Sequence, residues 1–417
     1  MKLKLSAFFV ILLVYSIPAI SQESDLEFSG YLENTLTADE NKAQDKTLIA
    51  NETRVRLNIK NSYREKGDLN VSIVGNRYAG NKSINLLDYL PEEEAQRFSD
   101  PVEIEKTNDL WFQEAYGSLY FGRTTIRTGR QKYYTGTGYA WNPTDLFNWK
   151  DVLDPAYEIE GLDSIFLSRG FFEDSSLSLY YSFGTSQDRK DREVSTSDEG
   201  DFQVKLKTGF SSWEVALHYT DVRKSFYDYE GVISGSVALE DIARQIRWRL
   251  TALEISGEIL GLGVHAEGGS YVLEEDDEEE ELPDELKNHD KYLVGIDYTF
   301  ESGLYLILEY YFEGLGESDH EEYTLNQRMA YLSGELDSLG KDNYYFGASY
   351  PLTDFSTLAL YVIANANDSS VVANPWFTWV ADDEITLNIS AQIPGGEEES
   401  AIGRSGSALF CRINFSF

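Results

Sequence analysis

The chain has 417 residues, with 35 Lys+Arg against 72 Asp+Glu and a formal net charge of -37; a nucleic-acid binder is excluded, because neutralising phosphates takes clustered basic side chains. Hydrophobic residues make up 42% and aromatic residues 14%, too many for a disordered chain. Beyond the extreme N-terminus no run of ~18 apolar residues occurs, which excludes a bundle of membrane-spanning helices but not a transmembrane β-barrel, whose apolar side chains occupy every second position.

At the N-terminus, Lys2 and Lys4 precede an apolar stretch from Leu5 to Tyr15, then Pro18 and the tripeptide Ala19-Ile20-Ser21. This pattern predicts a secretory signal peptide over residues 1–21, cleaved before Gln22, and a mature chain of residues 22–417. A retained anchor would need a longer apolar core, ~20 residues. No cysteine follows the cleavage point for lipidation. Cys411 is the only cysteine, so neither an intrachain disulfide nor a CxxCH haem site can form.

The mature chain shows period-2 alternation again and again, with turn residues between repeats. In Thr53 to Lys60, Val55, Leu57 and Ile59 alternate with Arg54, Arg56, Asn58 and Lys60; in Phe202 to Lys207, Phe202, Val204 and Leu206 alternate with Gln203, Lys205 and Lys207. From Ile242 to Ala252, Ile242, Ile246, Trp248, Leu250 and Ala252 share one face, with only Arg244 intruding, and Gln245, Arg247, Arg249 and Thr251 share the other. Strands are expected at 24–36, 47–60, 68–78, 109–121, 124–131 and 160–169. They continue at 176–185, 200–208, 212–222, 241–253, 258–272 and 290–300. The last are 303–313, 342–351, 356–365, 370–381, 384–393 and 407–417. The fold class is therefore all-β, a transmembrane antiparallel barrel of about 18 strands, with about 16 as the alternative. A soluble sandwich has fewer strands per domain, and a propeller would repeat with a visible period. Short connections such as Gly122-Arg123 alternate with long ones at 79–108, 132–159, 186–199, 223–240, 273–289, 314–341 and 394–406. That asymmetry is the one expected of periplasmic turns and external loops. On this reading the apolar face of each strand meets lipid and the Arg, Lys, Gln and Asn face meets water. Tyr292, Tyr298, Trp376 and Trp379 are expected in interfacial girdles.

The C-terminal run Leu409-Phe410-Cys411-Arg412-Ile413-Asn414-Phe415-Ser416-Phe417 puts Leu409, Cys411, Ile413 and Phe415 on one face and stops at an aromatic. It resembles the last strand of bacterial outer-membrane proteins, which implies recognition of Phe417 by the barrel assembly machinery. A second resemblance lies in Ile126-Arg127-Thr128-Gly129-Arg130-Gln131, Gly136-Thr137-Gly138 and Trp141-Asn142-Pro143-Thr144-Asp145. These resemble the "LRxGRQ … G … NPxD" segment of Gram-negative porin-like barrels, including alginate-export-type and uncharacterised relatives. Where many relatives carry Trp-Gly after the Gln, this chain has Tyr133-Tyr134-Thr135-Gly136. The resemblance implies a porin of the bacterial cell outer membrane, passing small hydrophilic solutes or ions through a charged, water-filled lumen. The alternative is a barrel sheathing a partner such as a multihaem cytochrome in an electron conduit.

Candidate pore-lining residues are the cations Arg54, Arg56, Lys60, Arg127, Arg130, Lys205, Lys207, Arg247, Arg249 and Arg412, opposed by Glu114, Glu214, Glu267, Asp297 and Glu309. Facing charges of opposite sign make a transverse field that orders water and sorts solutes. Arg127 and Arg130 either pair with wall carboxylates such as Glu114 or hold a solute anion. The segment 132–159, with Tyr133, Tyr134, Tyr139, Trp141 and Trp149, is too apolar to be left in water. It is the candidate constriction if it folds into the lumen, and an external cap if it does not. Glu274, Glu275, Asp276 and Asp277 open the densest acid run, read as a solvated loop with weak divalent-cation bridging to lipopolysaccharide as the alternative. No other metal site and no cofactor is expected. His218, His265, His289 and His320 form no HExxH pair and no GxSxG elbow occurs, so no enzyme is expected. The partners expected are outer-membrane lipid and lipopolysaccharide, the assembly machinery, small solutes and, optionally, further copies of the chain.

Overall fold

The computed structural model describes residues 25–148, 150, 152, 158–183, 200–234, 243–274 and 287–417. Among them eighteen barrel strands follow one another: β1 Asp25–Asn41, β2 Lys46–Ser62, β3 Gly67–Gly80, β4 Asp109–Phe121, β5 Thr124–Gln131 and β6 Leu162–Phe172. Next come β7 Ser175–Ser182, β8 Asp201–Phe210, β9 Trp213–Tyr227, β10 Ala243–Ile259, β11 Leu262–Glu274 and β12 His289–Thr299. The circuit ends with β13 Tyr305–Phe312, β14 Asp342–Thr353, β15 Ser356–Asn365, β16 Val371–Asp382, β17 Ile385–Gly395 and β18 Ala408–Ser416. Each strand pairs antiparallel with the next, and β18 pairs with β1 from Tyr31↔Ser416 to Asp39↔Ala408, so the sheet closes and leaves no edge.

Closure is tightened by the chain end. Gly30 and Phe417 exchange backbone hydrogen bonds, each of 3.0 Å. A Cβ on Gly30 would stand 2.7 Å from Phe417 Cζ and 2.2 Å from Arg56 O. The glycine thus leaves room for the terminal ring to lie over the backbone of β1, an aromatic covering of a strand glycine.

Alternation assigns the two faces. Leu206, Leu217, Leu253, Val272, Val294 and Leu308 are 45–51% exposed, whereas His218, Ala252, Leu293 and Glu309, on the opposite parity, are exposed by 2% or less. The half-exposed leucine and valine ring is the lipid-facing band. The β2–β3, β4–β5, β6–β7, β8–β9, β10–β11, β12–β13, β14–β15 and β16–β17 connections are all short and all at one end; the long connections leave from the other.

In three places the faces differ from the sequence expectation. On β10 the apolar set Ile246, Trp248, Leu250 and Ala252 is turned inward and buried, while Arg247 and Arg249 lie with exposed Leu253 on the outer face. An apolar strand face needs an apolar partner, and here that partner is Leu146 and Phe147 of the chain's own β5–β6 segment rather than lipid. Arg130 stands between Ala115 and Asp163, one step out of phase with Arg127, and shares the outer face of β5 with Ile126 and Thr128. Trp376, expected in a girdle, faces the lumen and donates its indole N–H to Asn388 Oδ1 at 3.2 Å. Trp379, by contrast, is 44% exposed on the outside.

Candidate functional site

The segment that follows β5 runs across the interior of the barrel. Tyr133 stacks on Tyr180 of β7 with centroids 4.1 Å apart, and its hydroxyl donates to Gln203 of β8. Leu146 and Phe147 pack among Leu162, Val222, Trp248, Leu250 and Tyr271. Trp141 stacks on Tyr311 at 5.0 Å, beside Ala140, Leu293 and Ile307. Burying these rings against the wall removes the apolar surface that made the segment incompatible with water.

Between the two apolar clusters, five consecutive backbone amides meet three wall carboxylates. Gly136 N donates to Glu254 of β10 at 3.0 Å. Thr137 N and Gly138 N donate to Glu267 of β11 at 3.2 and 2.9 Å, and Tyr139 N and Ala140 N donate to Glu309 of β13, the latter at 2.8 Å. Buried carboxylates need such partners, and a hydrogen bond to a charged acceptor contributes about 1.5–3 kcal/mol. Gly136, at φ +99°, takes a backbone conformation that L side chains avoid. A Cβ on Gly138 would meet Trp141 O at 2.0 Å. The acids are anchored from behind: Lys205 Nζ lies 2.7 Å from Glu254, His218 Nε2 3.2 Å from Glu254, and His265 Nε2 2.7 Å from Glu309. Asp145 folds the far end by accepting the amides of Phe147 and Asn148 at 3.0 and 3.2 Å.

The segment covers the wall from β6 to β16, leaving the remaining staves polar. On them Arg54 pairs with Glu52 at 3.1 Å and Arg56 with Glu114 at 3.6 Å, and Glu158, at the far end of the segment itself, pairs with Arg56 at 2.9 Å. Arg412 pairs with Glu33 at 3.7 Å. Arg127 has no ion pair among the described residues, and its guanidinium lies over Tyr116 at 4.8 Å. Lys60 is exposed; Lys207 pairs with Glu214 at 2.6 Å.

Three expected lining residues are elsewhere. Arg130 pairs with Asp163 at 3.8 Å on the outer face, and Arg247 lies 2.6 Å from Asp221 there, with Arg249 3.6 Å from the same carboxylate. Glu274 is engaged by Arg247 and Arg249; Glu275, Asp276 and Asp277 lie outside the described residues, as does Trp149. Glu254 and its support His218 escaped sequence reading as site residues. The signal was present, since Glu254 is in phase with Leu250 and Ala252, but it is legible only once the inward face of β10 is known.

Over the long-loop end, three connections meet. They carry α1 (Glu92–Ala95), α2 (Tyr229–Ser234) and α3 (Leu325–Ser333) and leave the ring after β3, β9 and β13. Leu86, Leu90, Leu325 and Met329 form one buried cluster with Phe98, Tyr229 and Ile233 packed on it. Arg328 pairs with Glu94 at 3.3 Å and Arg97 with Glu230 at 3.9 Å. Loops rooted so far apart on the ring share a core only by meeting across the opening, so they form a lid. Burial pushes the Glu94 carboxyl up from its ordinary value despite the adjacent Arg328.

A closed strand circuit, a lipid-facing band and a lumen crossed by its own segment describe a constricted outer-membrane barrel. The profile of the Gram-negative porin family matches residues 7–358. The chain belongs to that family. Among curated proteins no sequence relative matches. Crystal structures similar to this porin include Pseudomonas aeruginosa OccK11 (OpdR), 10% identical, covering 94% of this chain and 96% of that one with a TM-score of 0.54. Acinetobacter baumannii OccAB4 is 10% identical over 95% and 99% of the two chains, with a TM-score of 0.54. Pseudomonas aeruginosa OccK5 (OpdH) is 8% identical over 95% and 98%, with a TM-score of 0.55. At these identities the likeness is one of fold. Family and fold make the porin a passive outer-membrane channel for small solutes rather than an enzyme.

Proposed function

We propose that this porin passes small hydrophilic solutes through an off-centre path, bounded on one side by residues 133–148 and on the other by the polar staves β17, β18 and β1–β5. The observation that carries this reading is the set of amide bonds from residues 136–140 to Glu254, Glu267 and Glu309, which holds the constriction against one wall. Arg54, Arg56, Arg127 and Arg412 then face Glu33, Glu52, Glu114 and Glu158 across or along the water path, and solutes are sorted by charge and dipole. A sheath around a multihaem cytochrome does not fit a lumen already taken by the chain's own aromatic segment.

On the same reading, residues 1–21 direct export and are removed, Phe417 is the handle for the assembly machinery, and lipopolysaccharide surrounds the outer leaflet half. Copies of the barrel associate, if at all, through the outer band. The Gly129-Arg130-Gln131 and Asn142-Pro143-Thr144-Asp145 runs ally the chain with alginate-export-type or uncharacterised porin relatives. The test is conductance of purified protein in planar bilayers with a salt gradient across them. Stable ohmic steps with a nonzero reversal potential are expected; correctly inserted, heat-modifiable barrels that pass no current would refute the channel.

A further inference from the structure

Lys291, on the inward side of β12, ties together the two ends of one loop. Its ammonium lies 2.9 Å from Glu313 and 3.0 Å from Asp337. Glu313 directly follows β13 and Asp337 shortly precedes β14, so the two acids stand at the feet of the connection that carries α3. Between the feet the backbone is zipped into a neck. Glu313 N donates to Lys341 O at 2.8 Å, Glu317 N to Leu339 O at 2.8 Å and Lys341 N to Glu317 O at 3.1 Å. Beyond the neck, residues 318–338 carry Leu325 and Met329 into the shared core of the lid with Leu86 and Leu90.

The two acids are not equivalent. Glu313 has no exposed surface, and its second oxygen accepts Leu315 N at 3.2 Å, whereas the Asp337 side chain is 37% exposed. The Tyr311 hydroxyl reaches both, at 2.7 Å from Glu313 and 3.1 Å from Asp337, and donates to one at a time. Separating an ordinary buried ion pair strands a charge away from water, which is strongly unfavourable. Here that cost is largely avoided. When Asp337 lets go, Lys291 keeps Glu313, Tyr311 keeps an acceptor, and the freed carboxylate goes to water. Salt favours release, because screening of a part-exposed pair tightens from about 10 Å at 0.1 M to about 3 Å at 1 M. Of the other charges lining the space beside the clasp, Lys224 and Lys150 attract Asp337, and Glu335 and Asp145 repel it.

We propose that Lys291 is the positioning residue of the lid and that its bond to Asp337 is a releasable clasp. Held, the clasp keeps residues 318–338 down over the opening. Released by salt, it lets that arm rock on the neck and widens the external mouth. The clasp deepens the channel reading above, on which its effect on solutes rests, by giving control of entry to an ion pair of the lid and not to the constriction.

The test uses full-length protein folded in detergent, with Cys411→Ser to remove the native thiol and Ser338→Cys as a reporter, since Ser338 is only 6% exposed beside the clasp. Labelling by a water-soluble maleimide, relative to a free thiol in the same buffer, is expected to be slow in 0.05 M potassium chloride and at least fivefold faster in 1 M. Asp337→Asn should label at the fast rate in both salts, and Lys291→Arg should keep the slow rate and the salt response. Glu313→Gln leaves Asp337 as the one acid on Lys291 and should label more slowly than the parent in 1 M salt. All rates are read on the folded, heat-modifiable band. A parent rate that ignores salt, a slow rate in Asp337→Asn, or a Glu313→Gln rate as fast as that of Asp337→Asn overturns the clasp. Labelling needs no current, so a salt response in a barrel that does not conduct refutes the channel alone, and conduction without a salt response in labelling refutes the clasp alone.

Discussion

Ala140 donates its backbone N–H to Glu309 at 2.8 Å, and Glu309 is in turn held by His265 at 2.7 Å, so the position of the constriction is fixed by a wall carboxylate with no exposed surface of its own. Replacing that acid with an amide keeps the shape and removes the charge. Glu309→Gln is expected to cost about 2–3 kcal/mol of local stability, by weakening two charge-assisted bonds. Single-channel records should show larger, noisier steps, and Glu267→Gln added to it should widen the distribution further. Steps of wild-type size and noise in the double variant would show that the apolar clusters alone hold the segment.

Arg127 lies over Tyr116 at 4.8 Å without a carboxylate partner among the described residues, unlike Arg54, Arg56 and Arg412. A single unpaired guanidinium in the lumen draws anions more than a paired one does. Arg127→Gln is expected to move the zero-current potential in a potassium chloride gradient toward cation preference by several millivolts. Arg130→Gln, on the outer face, should leave it where it was.

Acid should steady the lid. Burial outweighs Arg328 and raises the Glu94 carboxyl above its ordinary value of 4.5, with Arg97 and Glu230 as further charged neighbours. A raised carboxyl means that the packed lid prefers the protonated form. The contribution of Glu94 to lid packing is therefore complete below the ordinary value and is lost as pH rises through the raised one. Conductance measured from pH 4 to pH 8 is expected to rise with pH, and Glu94→Gln to flatten that rise. A slope of the opposite sign would contradict this assignment of the lid.

Gly30 admits the ring of Phe417 at the seam between β1 and β18. Gly30→Val would put methyl groups where the ring and Arg56 O already are. Heat-modifiable mobility on a gel, the signature of a closed barrel, is expected to fall markedly in Gly30→Val. Gly170→Ala, where a Cβ would have no neighbour nearer than 3.7 Å, should preserve it. Full folding of Gly30→Val would mean the seam tolerates displacement of the terminal residue.

Strand number and order were legible because alternation is a local, repeated signal, and Leu409, Ile413 and Phe415 on the outer face of β18 show it at its clearest. Its sign is not local. Ile246, Trp248, Leu250 and Ala252 read as lipid-facing by composition, yet their partner is Leu146 and Phe147, about a hundred residues away in sequence; no window on β10 contains that information. Arg130 was a different matter, since its separation from Arg127 by three positions already puts the two on opposite faces of one strand. The amide ladder from Gly136 to Ala140 needed the fold itself, because Glu254, Glu267 and Glu309 meet it only through the register of β10 to β13.

The side-on seating of the 133–148 segment divides labour around the circumference. Substitutions on β6–β16 trade mostly in rigidity, because their inward groups clasp the plug, whereas those on β1–β5 and β17–β18 border the fluid and tune what passes. A porin built this way can alter its diet by drift on one flank without loosening the brace on the other, and a designer can treat the two flanks as separate dials.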